Sequence, residues 1–466
     1  MQDTLLKIVA TANAYLSDYI LIILLVATGL IFTIRTRFVQ VRCFGEGMKK
    51  VFGNFKLLGG KQAGGLSSFQ ALATAIAAQV GTGNIVGASG AILIGGPGAI
   101  FWMWVIAFLG MATIYAEAVL AQETREIDAN GEVHGGPVYY IKKAFTGGFG
   151  KFLSVFFSIA AILALGFMGS MVQSNSIAES CNTAFGIPGW IIGLILAVIS
   201  AIIFIGGIQR IASVTEKLVP IMAGLFLVGG LVVLIMRIQY IPATFGAIFK
   251  YAFTPDALIG GGIGYALKTA ISQGAKRGLF SNEAGMGSTP HAHAQANVDK
   301  PHDQGVAAMV GVFIDTFVVL TMTALVVIST LYVGEGGLLA SADYTAAIAE
   351  QGIMKTNAMQ LAVGSVFGSS FGNIFVAICL LFFAFSTILS WNFFGKINVQ
   401  YLFKNSKLST VIYSIIAIVF IFLGTLASND LVWELTDFFN YLMVLPNVIA
   451  LVALAKIVAN ASKKNK

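Results

Sequence analysis

Residues 67–103 read SSFQALATAIAAQVGTGNIVGASGAILIGGPGAIFWM, and the GTGN at 81–84 inside that run decides how the chain folds. The stretch is apolar enough to cross a bilayer. Its middle nevertheless holds two glycines, a threonine and an asparagine where a plain anchor keeps Leu and Val. Glycine loosens a helix, and backbone groups released from helical bonding are tolerated at membrane depth only where protein or water encloses them. The segment therefore reads as a transmembrane helix broken at mid-depth, with the break arranged to hold something polar.

The rest of the chain agrees with a bilayer setting. It has 466 residues, 57% hydrophobic and only 11% charged, with a mean hydropathy of +0.85. Soluble domains carry about 25% charged residues, so the expectation is an all-α polytopic membrane protein. Cys43, Cys181 and Cys379 are scattered and give neither a disulfide framework nor a metal spacing. The net charge of +7 is explained by basic residues gathering on the cytoplasmic side, without nucleic acid. No cleavable signal peptide is expected, since the first apolar run lacks a basic leader.

A span needs about 20 apolar residues, and eleven such segments are predicted, at 17–36, 67–94, 99–122, 152–181, 188–206, 214–236, 261–289, 305–333, 370–394, 409–427 and 433–458. The loop after the first holds Arg35, Arg37, Arg42, Lys49, Lys50, Lys56 and Lys61, and every second loop afterwards is again basic. That bias predicts the N-terminus outside and the C-terminus in the cytoplasm of a multi-pass plasma-membrane protein. Residues 1–460 are expected to form a single transmembrane domain, with a basic cytoplasmic tail at 461–466. Setting aside an extra helix at 17–36, the spans divide into two sets of five, 67–236 and 261–458, each opening with a glycine-interrupted segment. An odd-numbered set placed after another must be inverted relative to it, the pattern of inverted repeats whose site lies where two broken helices meet.

The second interrupted segment contains SQGAKRGLFSNEAGMGSTPHAHA at 272–294. Gly274 and Gly278 bracket Lys276 and Arg277, with Asn282 and Glu283 close behind, and the break is expected at 274–278. Charges inside a span face a cavity or a partner. The alternative is a cytoplasmic loop with both cations solvated. His291 and His293, two residues apart, do not share a face and have no third ligand nearby, so they do not read as a metal site.

At these residues the chain resembles the alanine or glycine:cation symporter family, also called sodium:alanine symporters. GGPGAIFWMWVIAFLGM at 95–111, KRGLFSNEAGMGSTPHAHA at 276–294 and GGPVYYI at 135–141 carry the resemblance, which runs from about residue 15 to 458. It implies a five-plus-five inverted repeat like that of the sodium-coupled leucine transporter, preceded by one extra helix. It implies Na+-coupled import of alanine or glycine, with Na+ as co-transported ion and no organic cofactor; the alternative is the same fold importing glutamine or another neutral amino acid, or coupling to H+. The partners are then the small neutral amino acid and the lipid bilayer, with no obligatory protein partner.

The residues themselves suggest how a zwitterion is held. The half-helix after GTGN offers unpaired N–H groups and a positive dipole end, so Thr82, Gly83 and Asn84 are candidates for the carboxylate. Gln79 and Gln173 are uncharged donors and acceptors that could face one another. Met168, Met171 and Phe167 would limit the pocket. Gly274 and Phe280 represent the second broken helix in the site. Carbonyls near Ala77 to Val80 suit a hard cation. By the resemblance, Ser386 and Thr387 complete a Na+ site with Ala77 and Val80, Thr387 also walls the substrate, and Trp391 is a lid. Asp315 lacks a sequence-adjacent cation and is an ion or ammonium partner, unless it pairs with a buried group such as Lys268. Glu117, Lys276, Arg277 and Glu283 are gating or charge candidates.

Other classes fit less well. A channel usually assembles short symmetric subunits with a repeated filter. An enzyme built on Ser281, His291 and Glu283 would lack a nucleophile elbow or HExxH. GTGNIVG is not GxGxxG and follows no strand, so it is no dinucleotide fingerprint.

Overall fold

The computed structural model describes residues 2–53, 66–129, 131–255, 263–334, 336–341 and 343–463. Lys56, Lys61, the first residues of the span predicted from 261, and the end of the tail at 464–466 lie outside the described residues.

The described chain is almost wholly helical. Helix α1 (Thr4–Arg35) leads through Val39–Arg42 to α2 (Phe44–Phe52). Then come α3 (Ser68–Gln79) and α4 (Gly83–Gly95), which together make one span bent by 44°. α5 (Ala99–Thr124), α6 (Gly147–Phe185), α7 (Gly189–Ile205) and α8 (Gly207–Met236) follow. The second half runs α9 (Ile263–Asn282), α10 (Pro290–His293), α11 (Pro301–Tyr332), α12 (Ser369–Leu402), α13 (Lys407–Gly424) and α14 (Asn429–Ala453). Each predicted span has a counterpart among these helices. The first starts well before residue 17, because Asn13 is buried against α14 and its Nδ2 donates to the Glu434 carbonyl at 2.8 Å.

The first break is formed by local signals and by close packing. Ser67 and Gln70 make a reciprocal capping box that starts α3. The chain leaves helical geometry at Val80 (φ −82°, ψ 88°). Glycine is needed here for approach more than for looseness. A Cβ on Gly81 would lie 2.4 Å from Thr387 Oγ1, and one on Gly83 would lie 3.0 Å from Phe280 Cδ1.

The second break falls at 283–289, between α9 and α10, and not at 274–278. Glu283, Gly285 and Gly287 all have positive φ (59°, 92° and 82°). Helix α9 runs unbroken through Gly274 and Gly278. Gly274 serves a helix crossing instead: a Cβ there would meet Trp102 Cβ at 2.6 Å and the Ala99 carbonyl at 2.9 Å. The start of α3 and the end of the second broken helix are tied together, since Leu66–Ser67 pairs in parallel with Ala296–Asn297. The core is continuous around both breaks, with α4, α5, α11 and α12 contributing side chains that are almost wholly buried.

Candidate functional site

The two breaks meet at mid-bundle. Gln79 Nε2 donates to the Asn282 carbonyl at 2.8 Å, linking the end of α3 to the end of α9. Asn84 Nδ2 donates to Asp315 Oδ1 at 2.6 Å. Ser281 Oγ donates to both oxygens of the same carboxylate at 3.0 Å, and Thr316 Oγ1 adds a third donor at 2.8 Å. Asp315 on α11 thus bonds to residues at both breaks. Lys268 is not its partner: it lies at the surface, 3.2 Å from Asp18 on α1.

At the start of α4 the exposed-donor expectation needs revision. The Gly81 N–H goes to Asn84 Oδ1 at 2.9 Å, and the Thr82 N–H goes to Gln173 Oε1 at 3.1 Å. Side-chain oxygens already accept both of these N–H groups. Gln79 and Gln173 are not paired with one another; each bonds to backbone at a break. Three buried atoms here have no hydrogen-bond partner among the described residues: Thr82 Oγ1, Gln79 Oε1 and Gln173 Nε2. Buried polar atoms usually find a partner, so these three are available to a polar ligand.

On the other side of the break lie α12 and its hydroxyls. Thr387 Oγ1 donates to the carbonyls of Ala77 at 2.9 Å and Phe383 at 3.1 Å. Ser386 Oγ donates to the same two, at 3.3 and 2.8 Å. The result is a buried cluster of carbonyl and hydroxyl oxygens around Ala77, the donor type that hard cations take. Val80 ends α3 one turn on, its N–H still bonded to the Ile76 carbonyl at 2.7 Å.

An aromatic layer covers the centre. Phe280 stands edge-on to Trp391 at 5.7 Å and packs on Trp433 at 4.7 Å. Trp391 is fully buried, and its Nε1 donates to Glu283 Oε1 at 2.5 Å. Glu283 also accepts from Ser288 Oγ, so this carboxylate binds the unwound backbone to α12. Phe167 stacks on Phe420 at 4.9 Å, and the Met171 backbone lies against Gly424, so both positions border α13. The carbonyl of Met168 accepts from Thr436 Oγ1 at 2.9 Å.

The charged candidates have long-range partners that no local pattern reveals. Glu117 on α5 accepts the N–H groups of Gly285 and Gly287 at 3.0 Å each and Asn447 Nδ2 at 2.7 Å. Its two oxygens cradle the backbone just beyond the end of α9. Lys276 lies 3.4 Å from Asp18, which also accepts from Ser272 Oγ at 2.5 Å. Arg277 forms a two-pronged contact with Asp437 at 2.9 and 3.3 Å and lies over the Trp433 ring. Asp18, Asp437 and Asn447 carry no local motif that marks them, and Ser281 reads in sequence only as an enzyme nucleophile candidate. The available signal was the rarity of polar groups within apolar spans.

A cavity of about 330 Å³ lies against this pair, lined by Val86, Gly87, Lys276, Arg277, Trp433 and Asp437 among others. Gly83 lies about one helical turn from the lining residue Gly87, and Phe280 and Ser281 about one turn from Arg277. A second cavity, of about 440 Å³, reaches the opposite end at Leu66, Gln295, Lys396 and Gln400. Gly90 and Ile94 near the end of α4 line the first cavity and Leu66, just before α3, lines the second, so the two lie at opposite ends of the broken span.

The family model described as the sodium:alanine symporter family matches residues 2–466. The chain is 40% identical to a protein of Methanococcus maripaludis named sodium/alanine symporter AgcS, over 98% of this chain and 96% of that one. It is 38% identical to a Bacillus subtilis protein named probable sodium/glutamine symporter GlnT, over 99% of this chain and 91% of that one. Among solved structures, MhsT in complex with L-phenylalanine superposes with a TM-score of 0.57 at 14% identity, covering 86% of this chain and all of that one. The last likeness is one of fold and places the chain in the leucine-transporter-like class.

Proposed function

The chain belongs to the sodium:alanine symporter family, and from that premise we propose that it imports a small neutral amino acid, alanine or glycine, by Na+-coupled alternating access. The observation that carries the reading is the unpaired trio of Thr82 Oγ1, Gln79 Oε1 and Gln173 Nε2 beside the oxygen cluster at Ala77. An amino acid brings both a carboxylate and an ammonium, and these would complete the trio. The carboxylate would take over N–H groups at Thr82 and Gly83, near the positive end of α4. The ammonium would go to Gln79 or to Asp315. Na+ would go to the carbonyl of Ala77 and the hydroxyls of Ser386 and Thr387, with Val80 the other backbone candidate.

Coupling follows from sharing. Both ligands would hold residues 77–84, so each stabilises the conformation that binds the other. A potential of 100 mV supplies about 2.3 kcal/mol per charge, and a tenfold Na+ gradient about 1.4 kcal/mol. One ion can therefore sustain an amino-acid gradient of roughly several hundred-fold. In this reading the N-terminus is outside. The Arg277–Asp437 layer then forms the outer gate, and the Leu66–Ala296 pairing closes the cytoplasmic end. The small reach allowed by Phe280, Trp391 and Trp433 favours alanine or glycine over glutamine.

The experiment is radiolabelled alanine uptake into proteoliposomes with an imposed Na+ gradient, with glycine and glutamine as competitors. Na+-stimulated, saturable uptake with counterflow is expected. Uptake that ignores Na+ and follows an imposed pH gradient would overturn the coupling, and competition by glutamine alone would overturn the substrate.

A further inference from the structure

Away from both breaks, three side chains of metal-binding type converge where α2 meets α11. Cys43 directly precedes α2, Glu46 lies in its first turn, and His302 lies in the first turn of α11. One ligand atom from each falls within 4.8 Å of the others. Cys43 is 5% exposed and His302 3%, whereas the Glu46 side chain is 37% exposed. The cluster thus has a thiol and an imidazole inside and a carboxylate at its mouth, which gives an ion a way in.

The imidazole is oriented for the task. Tyr115 Oη lies 2.7 Å from His302 Nδ1, with the rings edge to face at 5.6 Å. With Nδ1 occupied, Nε2 is left facing Glu46 Oε2 at 3.4 Å, which is long for a direct hydrogen bond. Metal-bound histidines carry this feature, one nitrogen fixed by an outer partner and the other turned to the ion. The other grouping of this kind among the described residues, Asp128, Glu132 and His134, is less buried. It is also already knitted together by its own hairpin bonds.

We propose that Cys43, Glu46 and His302 bind one divalent transition-metal ion of the zinc class, with a fourth position open to water. Thiolate, imidazole and carboxylate together form a donor set suited to such ions. Tetrahedral bonds of about 2.0–2.3 Å put ligand atoms roughly 3.3–3.7 Å apart, so binding draws the three together slightly, and the exposed Glu46 has the freedom to move. The ion would fix α2 to α11. The two helices already touch, since a Cβ on Gly47 would lie 2.7 Å from the Val306 carbonyl. The site is independent of what the protein transports.

The test is titration of the purified full-length chain with Co2+, followed by Zn2+. A thiolate-to-cobalt charge-transfer band should saturate at one ion per chain and be erased by Zn2+. The chain has three cysteines, so a Cys181→Ala/Cys379→Ala variant should keep the band and thereby assign it to Cys43. Cys43→Ser should abolish it. Glu46→Gln and His302→Gln should each weaken Co2+ binding tenfold or more, and Tyr115→Phe should weaken it about 10–100-fold. Absence of the band in the unmodified chain, its survival in Cys43→Ser, or its loss from a folded Cys181→Ala/Cys379→Ala protein overturns the site. Should Cys43→Ser fail to fold, unchanged Co2+ affinity in Glu46→Gln and His302→Gln overturns it equally.

Discussion

Gln173 Oε1 accepts the backbone N–H of Thr82 at 3.1 Å, joining the middle of α6 to the first break across 91 residues of sequence. The same side chain leaves its Nε2 without a partner among the described residues. One amide therefore both satisfies the break and presents a free donor beside it. This relationship makes Gln173 the sensitive point of the centre.

Gln173→Leu keeps the volume and removes both functions. The Thr82 N–H loses its acceptor, a cost of about 1–3 kcal/mol for a buried donor. The expected result is a lower melting temperature and an alanine affinity weakened about tenfold or more, read by scintillation proximity binding. Affinity equal to that of the unmodified protein would remove Gln173 from the substrate's surroundings.

A side chain on Gly83 would be crowded, since its Cβ would meet Phe280 at 3.0 Å and Ser281 Cα at 3.1 Å. Gly83→Ala should cost about 1–3 kcal/mol through overpacking, and Gly83→Leu should abolish amino-acid binding. A Gly83→Leu protein that binds alanine normally would show that α4 does not approach the ligand.

Thr387 Oγ1 donates to the Ala77 carbonyl at 2.9 Å, in the oxygen cluster proposed for Na+. Thr387→Ala should raise the Na+ concentration for half-maximal uptake at least about tenfold, the value of one lost ligand worth 1.4 kcal/mol. Thr387→Ser, which keeps the hydroxyl, should restore it. Unchanged Na+ dependence in the alanine variant would place the ion elsewhere.

Glu117 holds the unwound backbone at Gly285 and Gly287 from a helix more than 150 residues earlier. Glu117→Gln replaces one accepting oxygen with an NH2 that faces an N–H. The loss is expected at about 1–3 kcal/mol, measured as a fall in melting temperature, together with slower uptake because the second break is no longer pinned. Full stability and full uptake would show that the unwound segment needs no anionic cradle.

The helical segments and the first break are legible in the order of the amino acids. Both rest on local physics: bilayer-length apolar runs, and a GTGN that interrupts one of them. That order also marked Glu117, Glu283, Asp315, Lys276 and Arg277 as groups that need partners, because charge inside an apolar span is costly. It did not contain the partners. Asp18 for Lys276, Asp437 for Arg277 and Asn84 with Ser281 for Asp315 are brought together only by the packing of distant helices. The second break shows the same division. Glycines at 274 and 278 suggested one position, yet a helix opens where its released N–H groups find acceptors. Glu117 offers those acceptors at Gly285 and Gly287, while Gly274 lies against the α5 backbone and stays helical. Where a helix can break was written locally; where it does break was decided by which neighbour satisfies the backbone it exposes.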